Sequence, residues 1–162
     1  MGKRILTGQR HKKILGVHLI HDVDDNQDTS WLGEYSSQPK GDVYIDRRER
    51  GERGYFNVSS NYKGDTLSNQ LKYMEQDYQR MEALNRGDWC FIGIRAKAEI
   101  VLNEVTQSIH SGGLWGIESD SESCHLKEVE REELEGLKRE LLAIGFSERQ
   151  IDEAFKNVKE AV

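Results

Sequence analysis

From Cys90 to Leu102 every second residue is apolar: Cys90, Ile92, Ile94, Ala96, Ala98, Ile100 and Leu102, with Arg95, Lys97 and Glu99 alternating between them. A period of two places all seven on one side of an extended chain, whereas a helix with 3.6 residues per turn would scatter them around its circumference. The stretch beginning at Trp89 therefore reads as a long strand with one buried face, in which Ile94 and Ala96 point inward and Arg95 and Lys97 outward. A slip of one residue would exchange the faces, so the register is strongly specified. Val105, Ile109, Trp115 and Ile117 follow a short connection at Asn103 and Glu104, as an antiparallel return should. With helical sequence on both sides of this hairpin of about 89–117, the expected fold is α+β around an antiparallel sheet.

Ahead of the hairpin, Leu67, Leu71, Met74, Tyr78 and Met81 recur at steps of four, three, four and three, which predicts a helix over about 66–86. Asp65 or Ser68 is its expected cap, Asn85-Arg86-Gly87 its stop, and its apolar face is expected to pack on the sheet. Beyond the hairpin, Leu126, Val129, Leu134, Leu137, Leu141 and Ile144 make the stripe of a helix over about 124–144, ended by Gly145. Ser147 and Gln150 have the spacing of a capping box and open a last helix over about 148–160, with Ile151, Ala154, Phe155 and Val158 on one face. The resulting helical hairpin carries enough apolar surface to need a partner, either the sheet or a second copy in a homodimer. Leu141 to Phe155 also resemble the helix-loop-helix of ubiquitin-associated modules, but no room remains for a third helix. Near the start, Ile14, Leu15, Val17, Leu19, Ile20 and Val23 predict a strand. Residues 1–13 read as a flexible basic arm and 14–162 as a single domain, the size that 162 residues suggest. Residues 31–64 are rich in Gly, Ser, Asn and Arg, with short β runs expected at 43–46 and 55–58.

Composition excludes several classes. The formal charge is −6, and residues 113–162 alone hold seven Lys/Arg against thirteen Asp/Glu. A general nucleic-acid binder needs a basic footprint to displace phosphate counterions, so nucleic acid is not the favoured ligand. An acidic surface instead suits a protein partner with a basic surface. Two distant thiols, Cys90 and Cys124, make no secreted disulfide framework, and neither a signal peptide nor a membrane span is visible, so a cytoplasmic location is expected.

Each candidate chemistry has a weak point. Asp22, Asp24 and Asn26 copy the opening spacing of a calcium loop, but its sixth position is Gln27 and its twelfth Gly33. His110, His125, Cys90 and Cys124 could ligate zinc in principle, yet no short motif brings two of them together from one element. No metal or cofactor is expected. Glu118 and Asp120 flank Ser119 and could serve a small carboxylate-dependent enzyme near Trp115, an alternative reading with no catalytic residue set of its own. Arg47, Arg48, Arg50 and Arg53 could grip phosphate or carboxylate, which with nearby aromatics gives a second alternative, a single-strand nucleic-acid binder. The interleaved Asp46, Glu49 and Glu52 argue rather for charges paired among themselves. The favoured site is the corner from Ser111 to Glu122. Gly112 and Gly113 leave its backbone open, Trp115 is the residue type that most often anchors an interface, and Glu118, Asp120 and Glu122 add negative charge. The glycines there suit a β-bulge or a twisted corner.

The series DYQRMEALNRGDWCFIGIRAKAEI, then SGGLWGIESDSES, and the upstream words DTSWLGEY and IDRRERGERGYF resemble a family of small uncharacterised proteins carried by bacteriophages, prophages and conjugative elements. The likeness spans most of residues 20–146. It implies a setting, a mobile-element accessory protein in the cytoplasm of a bacterial host, and transfers no catalytic residue. Setting and acidity together suggest a non-catalytic binder of a host protein, such as a component of DNA-targeting defence.

Overall fold

The computed structural model describes residues 12–161. They divide into two compact units, residues 12–24 with 91–161, and Asp25–Cys90. The fold is α+β, with three α-helices and eight strands among the described residues, and antiparallel pairing dominates its sheets.

The first unit is built on two twelve-residue strands, β1 (Lys12–Val23) and β5 (Phe91–Leu102), paired antiparallel along their whole length. On the other side of β5 the chain returns twice, as β6 (Val105–His110) and then β7 (Leu114–Glu118). The expected single return is thus two strands broken by the glycine corner. The tight turn between β5 and β6 puts Asn103 and Glu104 at positive φ, a conformation asparagine tolerates better than most residues. The strand starts at Phe91 rather than Trp89, and Cys90, expected on its buried face, precedes it and is only half-buried.

Alternation along β5 is as expected. Ile94, Ala96, Ala98 and Ile100 are fully buried, and Arg95, Lys97 and Glu99 lie between them on the polar face. The buried face meets Val17 and Leu19 of β1 and is covered by α2 (Ser123–Ala143) and α3 (Glu148–Phe155), the helical pair that follows the sheet. Leu137, Leu141, Phe146 and Ile151 supply the helical half of this core. The capping box forms: the Ser147 side chain accepts from the Gln150 N–H, and the Gln150 side chain accepts from the Ser147 N–H.

Two local expectations need correction. The last helix ends at Phe155, not near residue 160, because Lys159–Ala161 form a further strand, β8, parallel to His18–Ile20 of β1. Three residues have too little sequence to show a period, so only the open edge of β1 explains why they extend. Lys12 and Lys13, assigned to the arm, begin β1; the rest of the arm, residues 1–11, lies outside the described residues.

The second unit holds β2 (Glu34–Ser36), β3 (Tyr44–Asp46), β4 (Tyr55–Asn57) and α1 (Leu67–Arg86), with the small sheet in the order β2-β4-β3. Thr66, rather than Asp65 or Ser68, caps α1 by accepting from the Asn69 N–H, while Gly87 ends it in the left-handed region as expected. Only the later part of the apolar face is buried: Met74, Tyr78 and Met81 are inside, Leu67 and Leu71 exposed. Tyr78 packs on Phe56 of β4 at 5.1 Å, so the face expected to seat on the long sheet finds its partner within its own unit. Trp89 closes this unit, with its indole N–H donating to the Arg80 carbonyl at 3.0 Å and the Arg80 guanidinium 3.7 Å over its ring. The unit is an insertion between β1 and β5; within the first unit, the Asp24 N–H donates to the Phe91 carbonyl at 2.8 Å, joining the two residues between which the insertion lies.

Candidate functional site

The corner between β6 and β7 is pinned from below by one carboxylate. Ser111 is buried; its N–H donates to the Ala96 carbonyl and its hydroxyl accepts from the Ala96 N–H at 2.8 Å. That leaves the hydroxyl proton, which goes to Glu133 on α2, and the same Glu133 oxygen accepts from the Gly113 N–H at 2.9 Å. Gly136, one turn further along α2, sits where an added Cβ would lie 3.9 Å from Ser111. Glu133 looks in the sequence like one more charge in an acidic helix. Only the tertiary pairing makes it the anchor of this corner.

Above that anchor β7 is bulged, its register against β5 shifting between Ile92 and Ile94. Gly113 and Gly116 bracket Leu114 and Trp115 with φ of 79° and 74°, values that side chains other than glycine rarely adopt. The bulge lays the Trp115 indole flat over Gly93: a Cβ built there would fall 2.0 Å from the ring. The Gly116 N–H donates to the Asp24 carboxylate at 3.0 Å, which fixes the far side. Trp115 is nevertheless 46 % exposed and Leu114 is 44 % exposed. A tryptophan seated by two glycines and a bulge, with nearly half its surface in water, is held in place without being covered.

Beside it the polar face of the sheet is cross-linked. Arg95 donates from Nε to Asp22 at 2.7 Å and from Nη1 to Nδ1 of His110 at 2.9 Å. Lys97 pairs with Glu99 at 3.1 Å. Since Nδ1 accepts from a guanidinium, the imidazole is neutral with its proton on Nε2, and a second proton would face Arg95. Burial, and then Arg95 and Lys97, hold the His110 pKa below its ordinary 6.5. The imidazole should therefore titrate below that value in a proton NMR titration, and Arg95→Gln should move it back up. Because its folded-state pKa is depressed, His110 contributes stability that is complete above the ordinary 6.5 and is lost as the pH falls from there through the folded-state value.

The acids of the corner are spread along the chain beyond the bulge. Glu118 ends β7 half-buried, Asp120 is exposed in the turn, and Glu122 is the N-cap residue of α2 without making a side-chain cap bond. Its carboxylate instead accepts from the Cys124 thiol at 3.5 Å. Gly112 is exposed, with open space where a side chain would begin. The structure thus brings Gly112, Gly113 and Trp115 into one corner and puts the three carboxylates on the strand end and turn that follow.

The arginine loop is occupied with its own unit. Arg47–Arg50 form a 3-10 turn capped by Asp46. Arg47 lies 4.6 Å over the Tyr35 ring, donates to the Arg53 carbonyl at 2.7 Å and pairs with Glu82 at 3.4 Å. Arg48 is held by Asp46 at 2.6 Å over the Tyr55 ring, and Arg50 makes a two-pronged pair with Glu75 at 2.9 and 2.7 Å. Arg53 is exposed. The expected pairing with the interleaved acids is seen for Arg48 with Asp46 and, at 3.7 Å, for Arg47 with Glu52, while Arg50 pairs outside the loop; three of the four guanidiniums are engaged within the protein. The sequence shows the neighbouring acids but not Tyr35, Glu75 or Glu82, which come from distant elements.

The calcium-like spacing is also spent internally, with Asp22 on Arg95 and Asp24 on Gly116. Among the described residues no group of three His, Cys, Asp or Glu side chains could hold a metal ion, and no helix is long and apolar enough to cross a membrane. Two clefts, of ≈490 and ≈470 Å³, lie along Lys13–Gly16 with α3 and around Lys40 and Asn57, and neither is lined by Trp115. Fold and geometry define an α+β protein with a helix-covered sheet and a rigid, exposed aromatic corner. Comparison with protein-family models, with curated proteins and with solved structures returns no match.

Proposed function

We propose that this protein is a non-catalytic binding protein that docks a basic protein surface on the Trp115 corner. The observation that carries the reading is the half-exposed indole fixed over Gly93. A tryptophan already held in one orientation loses little rotamer freedom on association, and rigid aromatic anchors beside a pocket or groove dominate binding energy at many interfaces. Glu118, Asp120 and Glu122 steer a positively charged partner towards it. The mobile-element resemblance supplies the setting, a bacterial host whose proteins, such as components of DNA-targeting defence, are the candidates for that partner. The enzyme reading finds no support in the clefts, and the engagement of Arg47, Arg48 and Arg50 weakens the nucleic-acid reading.

Affinity capture from a bacterial host lysate, followed by titration of the purified partner, tests this. Changing Glu118, Asp120 and Glu122 together to Lys should weaken binding at low salt and flatten its salt dependence, with little change in the melting curve. Trp115→Ala should cost about 2 kcal/mol or more of binding, the usual threshold of an anchor residue. Unchanged affinity in both correctly folded variants would remove this corner from consideration.

A further inference from the structure

A second surface, independent of the Trp115 corner, lies at the opposite edge of the same sheet. Strand β8 pairs only with His18–Ile20, so the preceding residues of β1 have β5 on one side and no strand on the other among the described residues. That bare edge opens on the ≈490 Å³ cleft, whose far wall is α3. The pairing of β1 with β5 shifts between Ile14 and Gly16, so Leu15 is the extra residue of a bulge, and it is 48 % exposed. Ile14 and Ala154 add apolar floor. Gln150 closes the near end by donating to the Lys12 carbonyl at 2.9 Å.

The charge of this cleft opposes that of the chain. Lys13, Arg149 and Lys159 line it, and its acid, Glu153, is held by Lys156 at 2.7 Å. Lys13 and Arg149 make no ion pair among the described residues, and Glu99, the carboxylate that feels the charge of Lys159, is paired with Lys97 at 3.1 Å. We propose that the cleft receives an extended acidic segment of a partner protein, laid along the β1 edge as an added strand. Its carboxylates lie over Lys13, Arg149 and Lys159, and an apolar side chain between them meets Leu15 and Ala154.

Spacing and charge select this occupant. Lys159 is level with His18, and because Leu15 bulges, His18 and Lys13 face Lys97 and Val101, four residues apart on β5, or about 13 Å at 3.3 Å per residue. One phosphate cannot span that distance, whereas alternate side chains of a strand, about 6.6 Å apart, can. A bare edge offers unpaired backbone groups that fix a strand by main-chain hydrogen bonds. Residues 1–11 carry Lys3, Arg4 and Arg10, the same sign as the cleft. A second copy pairing edge to edge would bring the cations of two such clefts, Lys13 and Arg149 of each, into one seam.

The test is fluorescence anisotropy on the full chain with three labelled peptides: four Glu-Val repeats, four Lys-Val repeats, and the Glu-Val peptide with alternate backbone nitrogens methylated. The Glu-Val peptide should bind, and bind more weakly as salt rises. The Lys-Val and methylated peptides should not bind, the latter because it keeps its charge but lacks the main-chain donors. Lys13→Glu with Arg149→Glu should weaken Glu-Val binding about tenfold or more, equivalent to 1.4 kcal/mol, with an unchanged melt because both side chains are exposed. Trp115→Ala should leave this binding unchanged, so the two surfaces can fail separately. The proposal is overturned by equal binding of the Glu-Val and Lys-Val peptides, by full binding of the methylated peptide, or by an unaffected double variant. A dimer that Lys13→Glu disrupts and the Glu-Val peptide does not would also overturn it, in favour of a second copy.

Discussion

Replacing Ile94 by Asp should leave no cooperatively folded protein. Ile94 has no exposed surface and sits in the central strand of the larger sheet, between His21 of β1 and Leu114 of β7. The substitution removes about 2–3 kcal/mol of apolar burial and adds the desolvation of a carboxylate with no partner, several kcal/mol more. Domains of this size are stable by about 5–15 kcal/mol, so the sum takes most or all of it. Ile94→Ala, which leaves a cavity but no charge, should cost about 2–5 kcal/mol and keep a cooperative melt. Thermal and urea unfolding of the pair checks this. An Asp variant melting within a few degrees of wild type would mean that β5 is not the centre of the fold.

Truncation after Ile117 has an expected effect of the same order. It removes Leu137 and Leu141, both fully buried, and Phe146 and Ile151, each 3 % exposed, from the face formed by Val17, Leu19, Ala96, Ala98 and Ile100. At about 1.5–3 kcal/mol per buried side chain, these four contribute about 6–12 kcal/mol, comparable to the whole stability of a domain. The loss of β8 also bares the His18–Ile20 edge. The fragment should be insoluble or unfolded by circular dichroism, and a soluble fragment with a sharp melt would show that the helices are an appendage.

The elements legible beforehand were those whose periodicity extends over many residues. The alternation from Ile92 to Ile100, the stripe through Val129, Leu137 and Leu141, and the Ser147–Gln150 box each repeat a local rule several times or use adjacent partners. Short elements were legible only in part: β3 and β4 fall within the β runs expected at 43–46 and 55–58, whereas β2 and β8, three residues each, show no period. The partner of α1 was misassigned for a related reason, because a stripe of Met74, Tyr78 and Met81 announces that something covers it but not what.

At the candidate site, residue types alone marked Trp115 and its glycines, because φ near 75° at Gly113 and Gly116 is a property of the single residue. Whether that tryptophan is core or surface was not legible. Its exposure depends on Gly93, twenty-two positions away, leaving room for the ring, and on Glu133 holding the Ser111–Gly113 backbone from α2. The same holds for Arg47 and Arg50, whose carboxylate partners on α1 lie 35 and 25 residues on. Secondary structure and the buried face of β5 follow from backbone geometry and hydrophobic period, which act between near neighbours and are written in the chain order. Which carboxylate meets which amide or guanidinium, and which aromatic stays in water, depends on contacts between distant segments, and those exist only once the chain is folded.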